Sequence, residues 1–384
     1  GRSRRQARAA AEKRIAGLAE ILPSAADEKY LRLACRLAER AYGRTSPNPP
    51  VGAVLVRAGK IVGTGYHRFA GGDHAEIVAL RRAGARARGA TLYITLEPCS
   101  HHGRTPPCTG ALIRAGIKEV VCGVRDPNPL VAGRGLRRLA RAGIRVRTGV
   151  LEQRCRLLIE AFAKYITRQV PFVVLKLAAT LDGRIAAASG DARWISGERS
   201  RKQVHRLRNR VDAVVVGVGT VIADDPLLTC RITGGRNPWR IVLDSRLRLP
   251  LSAKIVRLAD APKTIIAAGA AAPSAKVRAL ESLGVEVWRL PLRGERISWR
   301  PLLKKLARRD IVSVLIEGGA RTAASALAEK IVDKFVFFYA PKILGGDGMP
   351  MISGLGFRRV KNALPARELH LHRSGEDLVV TGYL

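Results

Sequence analysis

The sequence predicts an α/β protein built as two domains in tandem. With 384 residues the chain can bury two cores of ordinary size. Short apolar runs of strand character alternate with helical periodicities from end to end, the pattern of mostly parallel sheets covered by helices. A long helical pattern over residues 152–166 stops short of Pro171, which places the domain boundary near residues 167–171.

Residues 1–26 form a basic arm rich in Ala and Arg, loosely helical or disordered, without the apolar segment of a signal peptide. Glu12 and Glu20 interrupt any transit-peptide pattern. Tyr30, Leu31, Leu33, Ala34, Leu37 and Ala38 then recur at helical spacing, with Asp27 as the expected N-cap. The stiff turn Pro47 to Pro50 leads into strand 51–56, Ala58-Gly59-Lys60 reverses the chain, and strand 61–66 follows. Asp73 precedes a helix over 75–83, so His74 and Glu76 belong to its first turn. Strand 91–96, helix 109–115, strand 119–124, helix 134–142, an extended stretch at 146–150 and helix 152–166 complete a domain of residues 27–168. The second domain, 169–384, opens with strand 172–178 and a turn at Asp182-Gly183. Helix 198–208, strand 213–217, strands at 241–243, 263–268 and 285–289, helix 299–308, strand 313–316, helix 322–328, strand 335–339 and a terminal hairpin within 368–383 follow.

Composition narrows the function. Hydrophobic residues make up 47%, mean hydropathy is +0.01, and no apolar run approaches the roughly 20 residues of a membrane span. Six scattered cysteines do not form a disulfide framework and point to a reducing, cytoplasmic setting. Cys35, Cys122, Cys155 and Cys230 read as small buried hydrophobes. The formal charge is +37, from 68 Lys and Arg against 31 Asp and Glu. A polyanion surface or the focusing of phosphorylated substrates would use such charge. The excess is nevertheless spread over both halves, and an aromatic content of 5% offers few stacking platforms for single strands. Nucleic acid is therefore not the expected partner.

The informative stretch is T-L-E-P-C-S-H-H-G-R-T-P-P-C, residues 95–108, with His74-Ala75-Glu76 upstream. Two thiols, Cys99 and Cys108, and one imidazole, His74, can hold zinc through three protein ligands and leave the fourth position open. Zinc acidifies water in that position, and Glu76, two residues after the histidine, can move the protons. H-x-E with P-C and a further cysteine marks zinc-dependent deaminases. Most such enzymes have P-C-x-x-C; here eight residues, Ser100 to Pro107, separate the cysteines. Within them His101, His102 and Arg104 are expected to face substrate or serve structure, with His74 the sole imidazole ligand.

In the second half, V-G-V-G-T-V-I-A-D-D follows a strand but does not complete a dinucleotide fingerprint, because Ile222 occupies the third glycine position. Glu317-Gly318-Gly319, between a strand and a helix, is the better phosphate cradle.

Taken together, S-P-N-P-P-V-G, H-A-E, the long-spaced cysteine motif and D-P-N-P-L-V-A-G-R-G resemble the deaminase half of the bifunctional riboflavin-biosynthesis deaminase/reductase family. K-L-A-A-T-L-D-G-R-I-A, W-I-S, V-G-V-G-T-V-I-A-D-D-P-L-L-T, L-D-S, I-E-G-G-A-R-T-A-A-S-A-L and A-P-K-I-L-G-G resemble its reductase half. The resemblance implies a cytidine-deaminase-like three-layer domain followed by a dihydrofolate-reductase-like domain. It implies zinc on His74, Cys99 and Cys108, Glu76 as proton shuttle, and Asn48 lining a pocket for a diamino-hydroxy-pyrimidine with a phosphoribosylamino arm. NADPH contacts are implied at Ala178, Trp194, Thr220, Asp224 and Ser245. Its phosphates would lie on Gly319, Ala320, Arg321, Thr322, Ala323, Ala324 and Ser325. Substrate contacts of the reductase are implied at Ala192, Arg208, Leu228, Arg231 and Glu317, with Arg208 and Arg231 as phosphate clamps and Lys176 with Glu317 as the catalytic pair. At position 192 the family often carries serine; with alanine here, any contact is through the backbone. Reductase domains of this type commonly pair, which makes a homodimer the expected assembly. Two competing classes are a nucleic-acid base deaminase, against which the long cysteine spacer argues, and a non-catalytic polyanion binder, which would have no use for His74, Glu76, Cys99 and Cys108 together.

Overall fold

The computed structural model describes residues 24–100, 107–258, 260 and 263–384. The basic arm up to residue 23, and His101, His102 and Arg104, lie outside the described residues. The chain divides into two compact units, Gly1–Arg168 and Gln169–Leu384. No helix among the described residues is long and apolar enough to cross a membrane.

The first unit runs α1 (Ala25–Glu39), β1 (Gly52–Arg57), β2 (Lys60–Tyr66), α2 (Ala75–Ala83), β3 (Thr91–Leu96), α3 (Cys108–Arg114), β4 (Glu119–Val124), α4 (Arg134–Arg141), β5 (Arg145–Thr148), α5 (Glu152–Leu158) and α6 (Glu160–Arg168). Its sheet has the order β2-β1-β3-β4-β5. The β1 strand is antiparallel to both neighbours, while β3, β4 and β5 run parallel. Alternate residues feed opposite cores, as the two-residue period of a strand requires. Ala53, Leu55, Leu92 and Ile94 pack with Ala79, Leu112 and Leu139 of α2, α3 and α4. Val54, Val56 and Tyr93 pack with Leu31, Leu158 and Phe162 of α1, α5 and α6. Three layers result.

Two expectations are corrected here. The N-cap of α1 is Ser24, not Asp27: Asp27 is the third helical residue, and its carboxylate closes a capping box by accepting the Ser24 N–H. The single helix expected over 152–166 is two helices. At the break, the Ile159 N–H bonds to Arg156, one residue short of helical register, and Leu158 and Ile159 are both buried, 5% and 3% exposed.

The second unit comprises β6 (Phe172–Thr180), β7 (Arg184–Ala186), α7 (Glu198–Arg210), β8 (Ala213–Gly217), α8 (Val218–Asp224), β9 (Trp239–Leu243), β10 (Thr264–Ala268), α9 (Ser274–Glu281) and β11 (Glu286–Arg289). After them come β12 (Leu292–Arg293), β13 (Arg296–Ile297), α10 (Trp299–Ala307), β14 (Ser313–Ile316), α11 (Ala320–Ala328), β15 (Lys334–Ala340), β16 (Met349–Pro350), β17 (Arg367–Ser374) and β18 (Asp377–Tyr383). Nine strands form one sheet in the order β11-β10-β9-β8-β14-β6-β15-β18-β17. It is parallel from β11 to β15 and antiparallel at β18 and β17. One face packs on Trp299, Leu302 and Leu306 of α10 and Ala323 and Leu327 of α11. The other packs on Val221 of α8 and Val277 and Leu280 of α9; α9 has no counterpart in the elements expected from sequence.

Asp27 is 3% exposed. It accepts both Arg147 Nη atoms at 2.7 and 2.9 Å and the Tyr93 hydroxyl at 3.1 Å, and the Arg147 Nε is held by Glu119. The Arg147 hydrogen bonds outweigh the opposing effect of burial and keep the Asp27 carboxyl well below the usual carboxylate range. Breaking such a buried pair leaves an uncompensated charge. Arg147→Ala is expected to lower unfolding free energy by about 3 kcal/mol at pH 7. A depressed carboxylate contributes stability above its unfolded pKa, so the difference from wild type should shrink as pH falls below about 4. Urea denaturation at pH 7 and pH 3 checks both.

Candidate active sites

In the first unit, the site forms at the carboxyl ends of β3 and β4, where strand ends meet helix starts. His74 is the N-cap of α2, one position before the first turn in which it was expected, and Glu76 lies in that turn. Cys99 follows β3, and Cys108 opens α3. The three ligating atoms lie within 4.8 Å of one another, with His74 Nδ1 3.2 Å from Cys108 Sγ and 3.7 Å from Cys99 Sγ. The first amide of α3 donates to Cys99 Sγ at 3.4 Å, so a helix N-terminus supports the thiolate. Cys99 is held far below an ordinary thiol, first by the Cys108 thiol and then by His74, against burial. Burial drives the Glu76 carboxyl upward, with His74 opposing. Among the described residues the donor set is two sulphurs and one imidazole nitrogen, one short of a closed structural zinc site, and it fits a catalytic zinc with Glu76 beside it.

Asn48 enters this site through a residue that sequence reasoning missed. His67, just after β2, is 2% exposed, with its ring edge-on to His74 at 5.3 Å. Its Nδ1 faces the Asp73 carbonyl at 3.0 Å and its Nε2 faces Asn48 Nδ2 at 3.1 Å. With Nδ1 carrying the proton, Nε2 accepts from the Asn48 amide and leaves the Asn48 carbonyl oxygen as an acceptor. The burial of His67 lowers its pKa and favours this neutral form.

Glu97 was also missed, although it lies inside the motif. Its carboxylate is 4% exposed and accepts four backbone N–H groups: Asp126 and Gly133 on Oε2, Gly135 and Leu136 on Oε1, at 2.8–3.3 Å. It thereby caps α4 and holds the Asp126–Asn128 turn against the strand that delivers Cys99. The contact demands glycine at 135, where a Cβ would lie 2.0 Å from the Pro98 carbonyl oxygen. No sequence periodicity reveals it, because its partners are 29 to 39 residues away.

In the second unit Lys176 of β6, Arg208 of α7 and Glu317 at the end of β14 converge. Arg208 grips Glu317 with both ends of its fork, 2.7 and 2.9 Å, and Lys176 Nζ lies 4.0 Å from Glu317 Oε2. Burial pushes Glu317 up, but Arg208 and Lys176 outweigh it and hold the carboxylate ionised; burial lowers Lys176. The Arg208 Nη1 donates to the Thr229 carbonyl at 3.0 Å, so three of its five N–H groups are used within the protein and Nη1 and Nη2 each keep one for a ligand. Arg231 is exposed and donates to His205 at 3.3 Å. Leu228 is 3% exposed and packed in the core at φ 52°, which leaves only its backbone for a ligand. Ala192 is half-buried.

The expected phosphate loop divides. Gly319 caps α11, and the amides of Ala320 and Arg321 have no intrahelical acceptor by helix geometry. Ala323 and Ala324 are in the core, 0% and 3% exposed. The Ser325 hydroxyl accepts the indole N–H of Trp299 and donates to the Thr322 carbonyl, both at 2.9 Å, so these three side chains face inward. Thr322 stands over Gly217 and Gly318, where a Cβ would sit 2.6 and 2.5 Å from it. Thr220 faces Gly319, and a Cβ on Gly219 would meet nothing within 4 Å. This bare glycine cradle at strand ends fits a pyrophosphate-bearing cofactor. Ala178, Asp224 and Ser245 lie on β6, at the end of α8 and after β9. Trp194, 64% exposed, stacks under Arg201 at 4.6 Å and accepts Lys342 Nζ through its carbonyl at 2.7 Å.

Residues 24–124 match the cytidine and deoxycytidylate deaminase zinc-binding region, and residues 171–380 match the RibD C-terminal domain. The chain belongs to the RibD family. It is similar to the riboflavin biosynthesis protein RibD of Aquifex aeolicus, 48% identical over 355 residues that cover 92% of this chain and 97% of that protein. Among solved structures, RibD of Acinetobacter baumannii superposes with a TM-score of 0.83 at 38% identity, covering 93% of this chain and 98% of that one. The Thermotoga maritima diaminohydroxyphosphoribosylaminopyrimidine deaminase/5-amino-6-(5-phosphoribosylamino)uracil reductase gives 0.82 at 39% identity, with the same coverage. As a RibD protein the chain is a bifunctional enzyme of riboflavin biosynthesis, a zinc-dependent deaminase joined to a reductase that uses NADPH. A deaminase of nucleic-acid bases is not favoured.

Glu97→Gln keeps the shape but points an amide at backbone donors. It is expected to lower unfolding free energy by about 2–3 kcal/mol and to speed zinc loss to a chelator. An unchanged zinc release rate would separate Glu97 from the metal site.

Proposed function

We propose that the first unit hydrolyses 2,5-diamino-6-(5-phosphoribosylamino)pyrimidin-4-one. Water replaces the exocyclic amine, giving the uracil and ammonia. The second unit then reduces the ribosyl arm of 5-amino-6-(5-phosphoribosylamino)uracil to ribityl. The carrying observation is the convergence of an open His74, Cys99, Cys108 donor set on the buried carboxylate of Glu76. The activity named for the Thermotoga maritima relative supports the substrates.

Zinc held by His74, Cys99 and Cys108 supplies Lewis acidity at the open position. Glu76 takes one proton of the attacking water and gives it to a ring nitrogen, then takes the second from the hydroxyl of the addition product and gives it to the leaving amine, so that C=O forms as ammonia departs. Asn48, oriented by His67, offers its carbonyl oxygen to an amino group of the substrate. In the second unit NADPH supplies the hydride. Gly319, Ala320, Arg321 and Thr322 hold its phosphates, and Ala178, Trp194, Thr220, Asp224 and Ser245 line its path. Lys176 protonates the ribosyl ring oxygen as it opens, and Glu317, fixed by Arg208, sets the charge of Lys176. Arg231 receives the substrate phosphate, and the backbones of Ala192 and Leu228 complete the pocket.

The substrates are small phosphorylated pyrimidines rather than nucleic acid, in keeping with the long cysteine spacer. The enzyme works in the cytoplasm, in keeping with six free cysteines. It pairs as a homodimer, in keeping with the edge strand β17, exposed from Arg367 to Arg373 and carrying Leu369 and Leu371 at 53% and 62% exposure.

Incubation with the phosphoribosylamino-pyrimidine should release ammonia without cofactor, with NADPH oxidation only after deamination; neither signal would overturn the reading. Glu76→Gln should lower ammonia release at least 100-fold while retaining zinc. Lys176→Ala should lose NADPH oxidation with ammonia release intact, and full reduction by that variant would remove Lys176 from the mechanism.

A further inference from the structure

The +37 charge is not explained by two sites that each hold a few anionic groups, and one part of it is organised. Helix α4 carries Arg134, Arg137, Arg138 and Arg141, all exposed. They sit at i, i+3, i+4 and i+7, one face of a helix, over about 10 Å of axis. With Ser100 they line an open depression of about 460 Å³. Ser100 is the residue after the zinc ligand Cys99. Arg114 of α3 extends the group: a Cβ on Gly110 would lie 3.3 Å from its Nη1 and 4.0 Å from Arg138 Nη2.

The surrounding sequence supplies no neutralising charge. Residues 98–118 and 127–151 contain no Asp or Glu. The four carboxylates that border these stretches all have other partners: Glu97 four backbone amides, Glu119 Arg147, Asp126 the Asn128 amide and Glu152 Arg156. Adjacent like charges raise each other's energy, so an unneutralised group of five is destabilised by itself and stabilised by an anion. The stripe is also held in place relative to the metal ligands. The Glu97 carboxylate binds the first turn of α4 to the strand end that carries Cys99, and Gly135 lets α4 approach Pro98 at backbone distance. Two turns of helix match one phosphoryl group and not a nucleic-acid groove, and the lining residues include no aromatic on which a base could stack.

We propose that the arginine stripe of α4, with Arg114, is an anion-capture surface that draws the phosphate of the deaminase substrate to the zinc site. This rests on the substrate reading above. The capture acts before chemistry, through the local potential, and weakens with ionic strength as the screening length falls from about 30 Å at 0.01 M to 3 Å at 1 M.

The test is kcat/KM for ammonia release from the phosphoribosylamino-pyrimidine, without NADPH, at ionic strengths from 0.02 to about 0.5 M. Arg137→Glu/Arg141→Glu should lose roughly tenfold at low ionic strength, with the loss in KM, and should converge toward wild type at high salt. Arg137→Lys/Arg141→Lys should retain the wild-type value. Arg300→Glu/Arg308→Glu, which changes net charge equally at exposed positions in the first turn and at the C-cap of α10, should stay within about twofold. Equal losses in both reversal pairs would assign the effect to net charge and overturn the proposal. So would no loss, a loss that persists at high salt, or a loss confined to binding of a labelled RNA. Failure of the unaltered protein to release ammonia from this pyrimidine would instead overturn the substrate reading beneath it.

Discussion

The deaminase site depends on one buried carboxylate that touches neither metal nor substrate. Glu97 gathers four backbone amides, three of them from the start of α4, where the first amides have no helical partner. Acceptor oxygens placed there satisfy amides that the helix itself leaves without a partner. The consequence is geometric. Strand β3 cannot shift without dragging α4, so Cys99, the turn at Asp126 and the arginine face of α4 move as one body. His74 and Cys108 complete the donor set from two other helix starts, so all three ligands are placed by backbone rather than by flexible side-chain reach.

The second unit uses a different solution to hold charge. Lys176, Arg208 and Glu317 form a partly buried cluster in which one carboxylate answers two cations. Arg208 holds Glu317 through two hydrogen bonds from one planar fork, while Lys176 at 4.0 Å is paired loosely. A lysine that is desolvated yet attracted to a carboxylate is poised to give up its proton. Both units thus place the group we propose to handle protons, Glu76 or Lys176, beside a fixed partner, with Cys99 and Glu317 following the carboxyl ends of strands, where α/β folds present their crevices.

Much of this was legible in the sequence, for identifiable reasons. Metal ligands and the glycine cradle lie in short motifs because turns between strand and helix are local, so H-A-E, P-C and E-G-G carry their chemistry within a few residues. Glu97, His67 and the Arg208–Glu317 pair were not legible in their roles, because each acts through partners 19 to 109 residues away. For Arg208 the sequence shows the charge but not the Glu317 carboxylate it pairs with. Asp27 read as an N-cap because its residue type suits that position; the capping box moved the cap to Ser24 and left Asp27 for Arg147. Ser325 read as a phosphate ligand, but a helix start exposes one face only, and position 325 turns toward Trp299.

The account stands on an open zinc site with three protein ligands and Glu76 outside the coordination sphere. X-ray absorption at the zinc edge of the metal-loaded protein tests this most directly. The account predicts two sulphur neighbours at about 2.3 Å and two nitrogen or oxygen neighbours at about 2.0–2.1 Å, only one of which shows the outer-shell scattering of an imidazole. Two imidazoles on the metal would mean that His101 or His102 closes the site, and would contradict it.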